Sequence, residues 1–394
     1  MQPHSLYLHI PFCQHRCGYC DFNTYADLEH LIDDYALALQ SEIISFAQIA
    51  PEKIPLHTIY FGGGTPSLLP AESVESILQT IRQQFEILPN AEITLEVNPG
   101  TVDLDYFKAL HHMGINRISM GVQSANQEEL RLLERTHGYE DAINAVQWAR
   151  QAEFDNISID LIFGLPYQKV SAWQHNLELA LGLSPDHISL YALTVEHGTP
   201  LQHMVSRGLL PLPDPDAAAE MYEFTMQRVA AEGFQQYEIS NWARRSASGE
   251  LFSSRHNLQY WRNLPYIGMG AGGHGYVNNS RTANVLSPAA YIQRFQNGAS
   301  RSFPRTAATA SITEMSTQMN MSDTMMMGLR LVEEGVSSQL FEQRFGSTLH
   351  EIYKKDIDEL VDFELLEWGG NDQDILRLTT KGRLLGNQVF MRFV

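Results

Sequence analysis

Only three cysteines occur in the 394 residues, and they sit together at Cys13, Cys17 and Cys20. The segment reads His9-Ile10-Pro11-Phe12-Cys13-Gln14-His15-Arg16-Cys17-Gly18-Tyr19-Cys20-Asp21-Phe22. Thiolates at C-x3-C-x2-C spacing suit a tight loop wrapped around a cubane. A [4Fe–4S] cluster ordinarily takes four thiolates, so a chain with three leaves one iron open to an outside ligand. That arrangement binds S-adenosylmethionine (SAM) and cleaves it by electron transfer, a radical chemistry that belongs to the cofactor and that the protein positions. Other readings fit less well. A disulfide framework wants an even number of cysteines and a short chain. A structural zinc site wants a fourth ligand, which His9 or His15 can supply. Cysteines buried merely as small hydrophobes have no reason to cluster.

The rest of the composition narrows the class of molecule. The chain is 44% hydrophobic, ample for a large core and for more than one domain. Its formal net charge of −19 repels phosphate backbones, and the longest basic run is the pair Arg244-Arg245, so no nucleic-acid partner is expected. Met1 to Leu8 has neither the basic start nor the apolar core of a signal peptide. No run approaches the roughly 18 apolar residues of a membrane span. Reduced cysteines and no export signal lead to a cytoplasmic expectation.

Short β-rich runs alternate with amphipathic helical ones up to about residue 192. Strands are expected at Leu6–Ile10, Thr58–Phe61, Glu92–Val97, Arg117–Gly121, Ile157–Ile162 and His187–Ala192. Helices are expected near Ile32–Ile49, from Ala71, at Leu104–His112, Gln127–Leu133 and Tyr139–Ala152, and near Ala172–Leu183. Six βα repeats argue for a parallel sheet with right-handed crossovers, two repeats short of a closed eightfold barrel. The ligand site is expected where the C-terminal strand ends meet their loops. The cysteine loop, Gly62-Gly63-Gly64-Thr65-Pro66 and Gln123 all follow strands directly, so they converge on one rim. The proline-rich stretch Leu210–Pro215 breaks the pattern. Beyond it come a helix at Ala217–Glu232, a strand at Gln236–Ser240, a glycine-rich loop at Gly268–Gly275 and a linker at Ser300–Ser322. Helices at Asp323–Val332, Gln339–Phe345 and Leu349–Leu360, a strand at Leu376–Leu378 and a final helix at Thr380–Phe390 make a small α-rich unit of winged-helix type.

Several of these motifs, in order and spacing, resemble one known family. The cysteine loop, Gly62–Pro66, Gly121-Val122-Gln123-Ser124 and Asp160-Leu161-Ile162-Phe163-Gly164-Leu165-Pro166 match radical SAM proteins of the coproporphyrinogen-dehydrogenase-like group. Within it the chain resembles the heme-chaperone (HemW) branch over nearly its whole length. The implied fold is α/β: a partial (β/α)6 radical SAM barrel over residues 1–240, an extension over 241–300 and a small α-rich, winged-helix-like domain over 301–394.

The resemblance also implies roles. Cys13, Cys17 and Cys20 are the cluster ligands. Tyr7 and Tyr19 flank the loop and touch SAM, Tyr19 near the adenine, although both also suit plain core packing. Gly63, Gly64 and Thr65 lie on the edge that holds the methionyl amino group, glycine allowing close backbone approach. A ligand-free βα turn is the alternative for that run. Glu96 is the SAM-binding carboxylate, Gln123 a polar contact, and Arg135 the partner of the SAM carboxylate, which a guanidinium fork suits. Asp160 sits at the ribose; a carboxylate inside the apolar run Ile157–Phe163 is costly unless paired.

His256-Asn257-Leu258-Gln259-Tyr260-Trp261 is characteristic of the heme-chaperone branch. An imidazole can ligate heme iron, and aromatics can pack on a porphyrin, so His256 is the preferred heme ligand, a hydrogen-bonded loop histidine being its alternative. Gly268-Met269-Gly270-Ala271-Gly272-Gly273 spells a dinucleotide fingerprint, but a poor helix former follows, so a loop over the SAM pocket is expected instead. His274 is a weaker heme candidate. Met315, Met319, Met321, Met325, Met326 and Met327 read as helix core ahead of heme contact.

Two departures separate close relatives. Coproporphyrinogen dehydrogenases carry a fourth cysteine two positions after the last ligand, where this chain has Phe22, and an N-terminal extension, where this sequence has twelve residues before Cys13. The favoured expectation is therefore a chaperone that binds a [4Fe–4S] cluster, SAM and heme and passes heme to acceptor hemoproteins, membrane-associated ones included, as a monomer or a homodimer. Oxygen-independent coproporphyrinogen III dehydrogenation is the alternative. A radical SAM enzyme acting on RNA is a third, disfavoured by acidity.

Overall fold

The computed structural model describes residues 3–296, 301–370 and 373–394. It divides into two compact units, Met1–Met221 with Pro265–Thr313, and Tyr222–Leu264 with Glu314–Val394.

The first unit is built on six parallel strands in chain order. They are β1 (His4–Ile10), β2 (Pro55–Gly63), β3 (Glu86–Val97), β4 (Arg117–Gln123), β5 (Ile157–Phe163) and β6 (His187–Ala192), connected by α1 (Ile32–Ile49), α2 (Ala71–Gln84), α3 (Leu104–His112), α4 (Gln127–Leu132) with α5 (Tyr139–Gln151), and α6 (Val170–Gly182). Each expected strand and helix is present with ends shifted by a few residues. Local chemistry starts the helices: the Asp103 side chain accepts from Tyr106 N at 2.8 Å, and Asn126 caps Glu128 N at 2.8 Å.

Parallel strands covered on both faces usually read as continuous apolar runs. These alternate. One row is apolar and buried, and Leu6, Leu8, Ile59, Phe61, Leu95, Ile118, Met120, Ile159 and Leu190 in it are each at most 1% exposed. The other row is polar: Ser5, Tyr7 and His9 on β1, Thr58 and Tyr60 on β2, Thr94 and Glu96 on β3, Arg117 and Ser119 on β4, Ser158 and Asp160 on β5, His187 and Ser189 on β6. Pairing sets these polar residues side by side, Tyr7 with Tyr60, Glu96 with Ser119, Ser119 with Ser158 and Ser158 with His187. A one-residue slip would exchange the rows and cost about 1.5–3 kcal/mol for each apolar side chain brought out, so the register is strongly specified.

Beyond β1 the sheet continues through strands absent from the sequence reading. Tyr266–Met269 runs parallel to β1, pairing Ser5 with Tyr266, and His274–Val277 and Ser280–Asn284 follow antiparallel, with Thr309–Glu314 outermost. The expected glycine-rich loop is therefore the connection between two strands, and its ends are strand residues. The expected linker Ser300–Ser322 begins outside the described residues and holds that outermost strand and the start of a helix, Thr317–Gly328. Its Thr-Ala-Ser sequence carries no apolar period, and its backbone is held instead by Arg294, whose Nη1 donates to the carbonyls of Ala307, Ala308 and Thr309. Helices at Pro200–Ser206 and Pro288–Gln296 were also not anticipated.

The second unit is mainly helical. Helices Ser338–Phe345 and Leu349–Asp362 lead to an antiparallel pair, Leu366–Gly369 with Ile375–Leu378, which Val336–Ser337 joins on its other side. A capping box between Thr348 and Glu351 starts the longer helix. Phe341, Leu349, Ile357, Leu376 and Val389 centre its core. The expected single helix Thr380–Phe390 is two, Thr380–Leu384 and Gly386–Phe390, because Leu385 leaves helical geometry at φ −112°.

Candidate functional site

The cysteine loop leaves β1 at Ile10 and is closed on itself. Cys13 N donates to Tyr25 O at 2.9 Å, and Tyr25 N to Pro11 O at 2.8 Å. The glycine run after β2 lies alongside, Gly64 N donating to Ile10 O at 2.8 Å and Thr65 N to Phe12 O at 2.7 Å. Gly64 has to be glycine here, since a Cβ would stand 2.6 Å from Phe12 O and 3.1 Å from Cys13 Sγ. All three thiols are free and half-buried. Burial pushes the Cys13 and Cys20 thiols up, with Thr65 opposing at Cys13 and the Phe22 backbone at Cys20. Thr65 Oγ1 lies 3.6 Å from Cys13 Sγ, and Arg135 Nη1 3.6 Å from Cys17 Sγ.

Three free thiols on one loop, with no fourth cysteine in the chain, suit a cubane that keeps one iron open to an outside ligand, whereas a structural zinc site takes four protein ligands. Phe22, two positions after Cys20, is 63% exposed.

The interior polar row supplies the next layer. Glu96 accepts from Tyr60 OH at 2.8 Å and from Gly63 N at 3.1 Å, so β3 and the glycine run meet at one carboxylate. Gly63 has φ +116°, a conformation that glycine adopts without strain. Burial pushes the Glu96 carboxyl up to about 7; the Tyr60 and Gly63 hydrogen bonds and the Arg117 charge oppose that, and Asp160 adds to it. Asp160 is raised too, by burial, against hydroxyls of Ser189, Ser119 and Ser158 and the charge of Arg117. Arg117 is 1% exposed and its Nε has no hydrogen-bond partner. Two part-exposed carboxyl groups therefore stand near one buried guanidinium.

Arg135 is held in several directions. Its Nη2 donates to Gly121 O at 2.9 Å and lies 3.4 Å from His137 Nδ1, and Tyr19 is a further partner. His137 Nε2 is 3.1 Å from Val122 O, a carbonyl that only accepts, so Nε2 carries the proton and Nδ1 is the acceptor for Arg135. Burial and the neighbouring Arg135 hold His137 down to about 4. Gln123, at φ +65°, folds its amide back over Gly121, where a Cβ would stand 2.9 Å from Nε2. Tyr7 OH is 3.0 Å from His9 Nδ1, and burial raises the Tyr7 phenol well above its ordinary range. Tyr19 is raised likewise by burial and packs beside Leu133, Ile162 and Leu165.

Tyr7, Tyr19, Gly63, Gly64, Thr65, Glu96, Gln123 and Arg135 thus gather around the cysteine loop. Asp160 lies along β5, hydrogen-bonded to Ser119 at 3.3 Å. Tyr60, Arg117, Ser119 and His137 belong to the same network and are not among the expected residues; for the first three, polar residues at every second strand position are the signal, while His137 lies in a loop with no such signal.

His256 lies in the second unit, on a short helix, Arg255–Trp261, rather than in a loop. Its imidazole is 1% exposed, and Nε2 is 2.9 Å from Tyr260 OH. Arg330 stacks 4.5 Å over the Trp261 ring. Met321 and Met325 lie in the core of that unit, while Met319 is exposed.

Comparisons with known proteins agree with this arrangement. The radical SAM superfamily model matches residues 7–180, and the HemN C-terminal domain model matches residues 316–385. The chain is 37% identical to the heme chaperone HemW of Bacillus subtilis over 392 residues, covering 99% of each protein. It is 37% identical to the heme chaperone HemW of Lactococcus lactis over 393 residues, covering 100% of this chain and 98% of that one. In three dimensions it resembles coproporphyrinogen III oxidase (HemN) of Escherichia coli, a radical SAM enzyme, with a TM-score of 0.82 at 24% identity over 99% of this chain and 90% of that one.

Proposed function

The chain belongs to the HemW family of radical SAM proteins, and from that premise we propose that it is a heme chaperone that holds a [4Fe–4S] cluster, SAM and heme and delivers the heme to acceptor hemoproteins. The observation that carries this reading is similarity over the full length to proteins named heme chaperones. Cys13, Cys17 and Cys20 hold the cluster, and their thiol protons leave as metal binds. When bound, the cluster supplies an electron and one iron open to an outside ligand.

The chain's own residues prepare the SAM pocket. Gly63 and Gly64 bring backbone close to the ligand. The Glu96 and Asp160 carboxyl groups outnumber Arg117 in the interior, which favours a cationic cofactor such as SAM with its ammonium and sulfonium groups. Arg135 offers its fork to the SAM carboxylate, and Gln123 adds a polar contact. Tyr7 and Tyr19 exclude water beside the loop. His256 is the residue that would hold the heme iron, through an imidazole nitrogen that Tyr260 would release.

The acceptors in this reading include membrane-associated hemoproteins, and the working compartment is the cytoplasm. No helix among the described residues is long and apolar enough to cross a membrane. Oxidation of coproporphyrinogen III shares the fold, but Phe22 replaces the fourth cysteine expected of such enzymes. Anaerobic reconstitution followed by hemin titration tests the reading. A saturable Soret shift supports it; no shift, with vinyl products from coproporphyrinogen, SAM and a reductant, would replace it with the oxidase.

A further inference from the structure

The glycine-rich connection Gly268–Gly273 joins two strands and starts no helix, so it lacks the context of a nucleotide site. Its glycines serve another purpose. A Cβ on Gly270 would stand 2.4 Å from His9 O, and one on Gly272 would stand 2.4 Å from Asn23 Nδ2. The connection is thus pressed against the end of β1 and against the residue three places after Cys20.

Asn23 is held on every polar atom of its side chain. Nδ2 donates to Ala271 O at 3.1 Å and to Leu286 O at 3.0 Å, and Oδ1 accepts from Tyr25 OH at 3.2 Å. Its backbone carbonyl accepts from His9 Nε2 at 2.9 Å. Tyr25 in turn accepts from Cys13 N. Both ends of the cysteine loop therefore meet at Asn23. The connection itself is fixed from behind. Tyr35 OH accepts from Ala271 N at 2.8 Å and donates to His9 O at 2.7 Å. The buried Glu42 carboxylate accepts from Gly270 N at 2.8 Å, Tyr291 OH at 2.6 Å, Thr306 Oγ1 at 2.7 Å and Asn284 Nδ2 at 2.9 Å. Four donors on one buried carboxylate make a rigid abutment.

We propose that Asn23 is the positioning residue of the cysteine loop, and that the glycine-rich connection is the surface it is clamped to, so that the loop is already ordered before metal arrives. The proposal rests on the radical SAM reading of the three cysteines. Preorganised ligands bind metal more tightly because less ordering remains to be done on binding.

The test compares Asn23→Ala, Asn23→Asp and Phe107→Ala with wild type. Asn23→Asp keeps the acceptor for Tyr25 but turns an oxygen toward the carbonyls of Ala271 and Leu286. Phe107→Ala opens a core cavity on α3 and controls for lost stability. In metal-free protein the Asn23 variants are expected to alkylate at Cys13 and Cys20 several-fold faster. After reconstitution they are expected to lose iron several-fold faster on desalting and to show an altered response of the reduced EPR signal to SAM. Asn23 variants that match wild type in all three measurements, or a Phe107→Ala variant that reproduces the changes, would overturn the clamp. A wild-type cluster indifferent to SAM would sink the functional reading instead, while thiol alkylation in metal-free protein still decides the clamp.

Discussion

Arg135 points one nitrogen at Cys17, Nη1 to Sγ at 3.6 Å, while its other terminal nitrogen is fixed by Gly121 O at 2.9 Å. A guanidinium expected to recognise a carboxylate therefore also touches a proposed cluster ligand, Cys17. Its Nε has no hydrogen-bond partner, which leaves a donor for an incoming group.

Replacing Arg135 with lysine keeps the charge and removes the fork. Charge-assisted hydrogen bonds contribute about 1.5–3 kcal/mol, so SAM should bind about tenfold to a hundredfold more weakly. Equilibrium dialysis of reconstituted Arg135→Lys measures this; unchanged affinity would remove Arg135 from the SAM site.

Glu96 gives a pH dependence with a definite sign. Its folded carboxyl titrates at about 7, so below that pH it is protonated and pairs poorly with a cation. SAM affinity should fall by up to about tenfold per pH unit below about 7 and level off above it. Stability runs the other way. The folded state holds the proton more tightly than the unfolded one, so wild type should lose stability relative to Glu96→Gln as pH rises from about 4.5 to about 7. Calorimetric titrations and melting curves of the two proteins across that range check both slopes.

Gly64→Ala tests the close approach of two loops. The new methyl meets Phe12 O and Cys13 Sγ, and overpacking of this kind costs about 1–3 kcal/mol. Iron retained after reconstitution should drop with stability. Gly100→Ala, whose nearest neighbour would be 3.4 Å away, should retain wild-type iron. Equal iron content in the two variants would mean that the glycine run does not shape the cluster loop.

Heme ligation through His256 Nε2 has to break its contact with Tyr260. Tyr260→Phe should therefore strengthen hemin binding, and His256→Ala should weaken it and diminish the Soret shift. Hemin titrations identical across wild type and both variants would place the iron ligand elsewhere.

Much of the first unit was legible in order, because each βα repeat announces itself over a short window and the cysteine loop is contained within Cys13–Cys20. The strands from Tyr266 to Glu314 were not, since short polar runs such as Ser280–Asn284 carry no period strong enough to separate them from loops. His256 was legible as a residue but not as a helix position, because its seven-residue helix is too short for a periodic signal.

The residues alone narrowed the metal chemistry: three cysteines with no fourth, placed after a strand, suit an incompletely ligated cluster whatever the fold. They could not decide which polar groups surround that metal. Glu96, Arg117 and Asp160 come from three strands and meet through pairing register, and Asn23 reaches Ala271 and Leu286 across 248 and 263 residues of chain. Contacts of that span leave no trace in local sequence, because they exist only once backbone pairing has brought distant segments within hydrogen-bond reach.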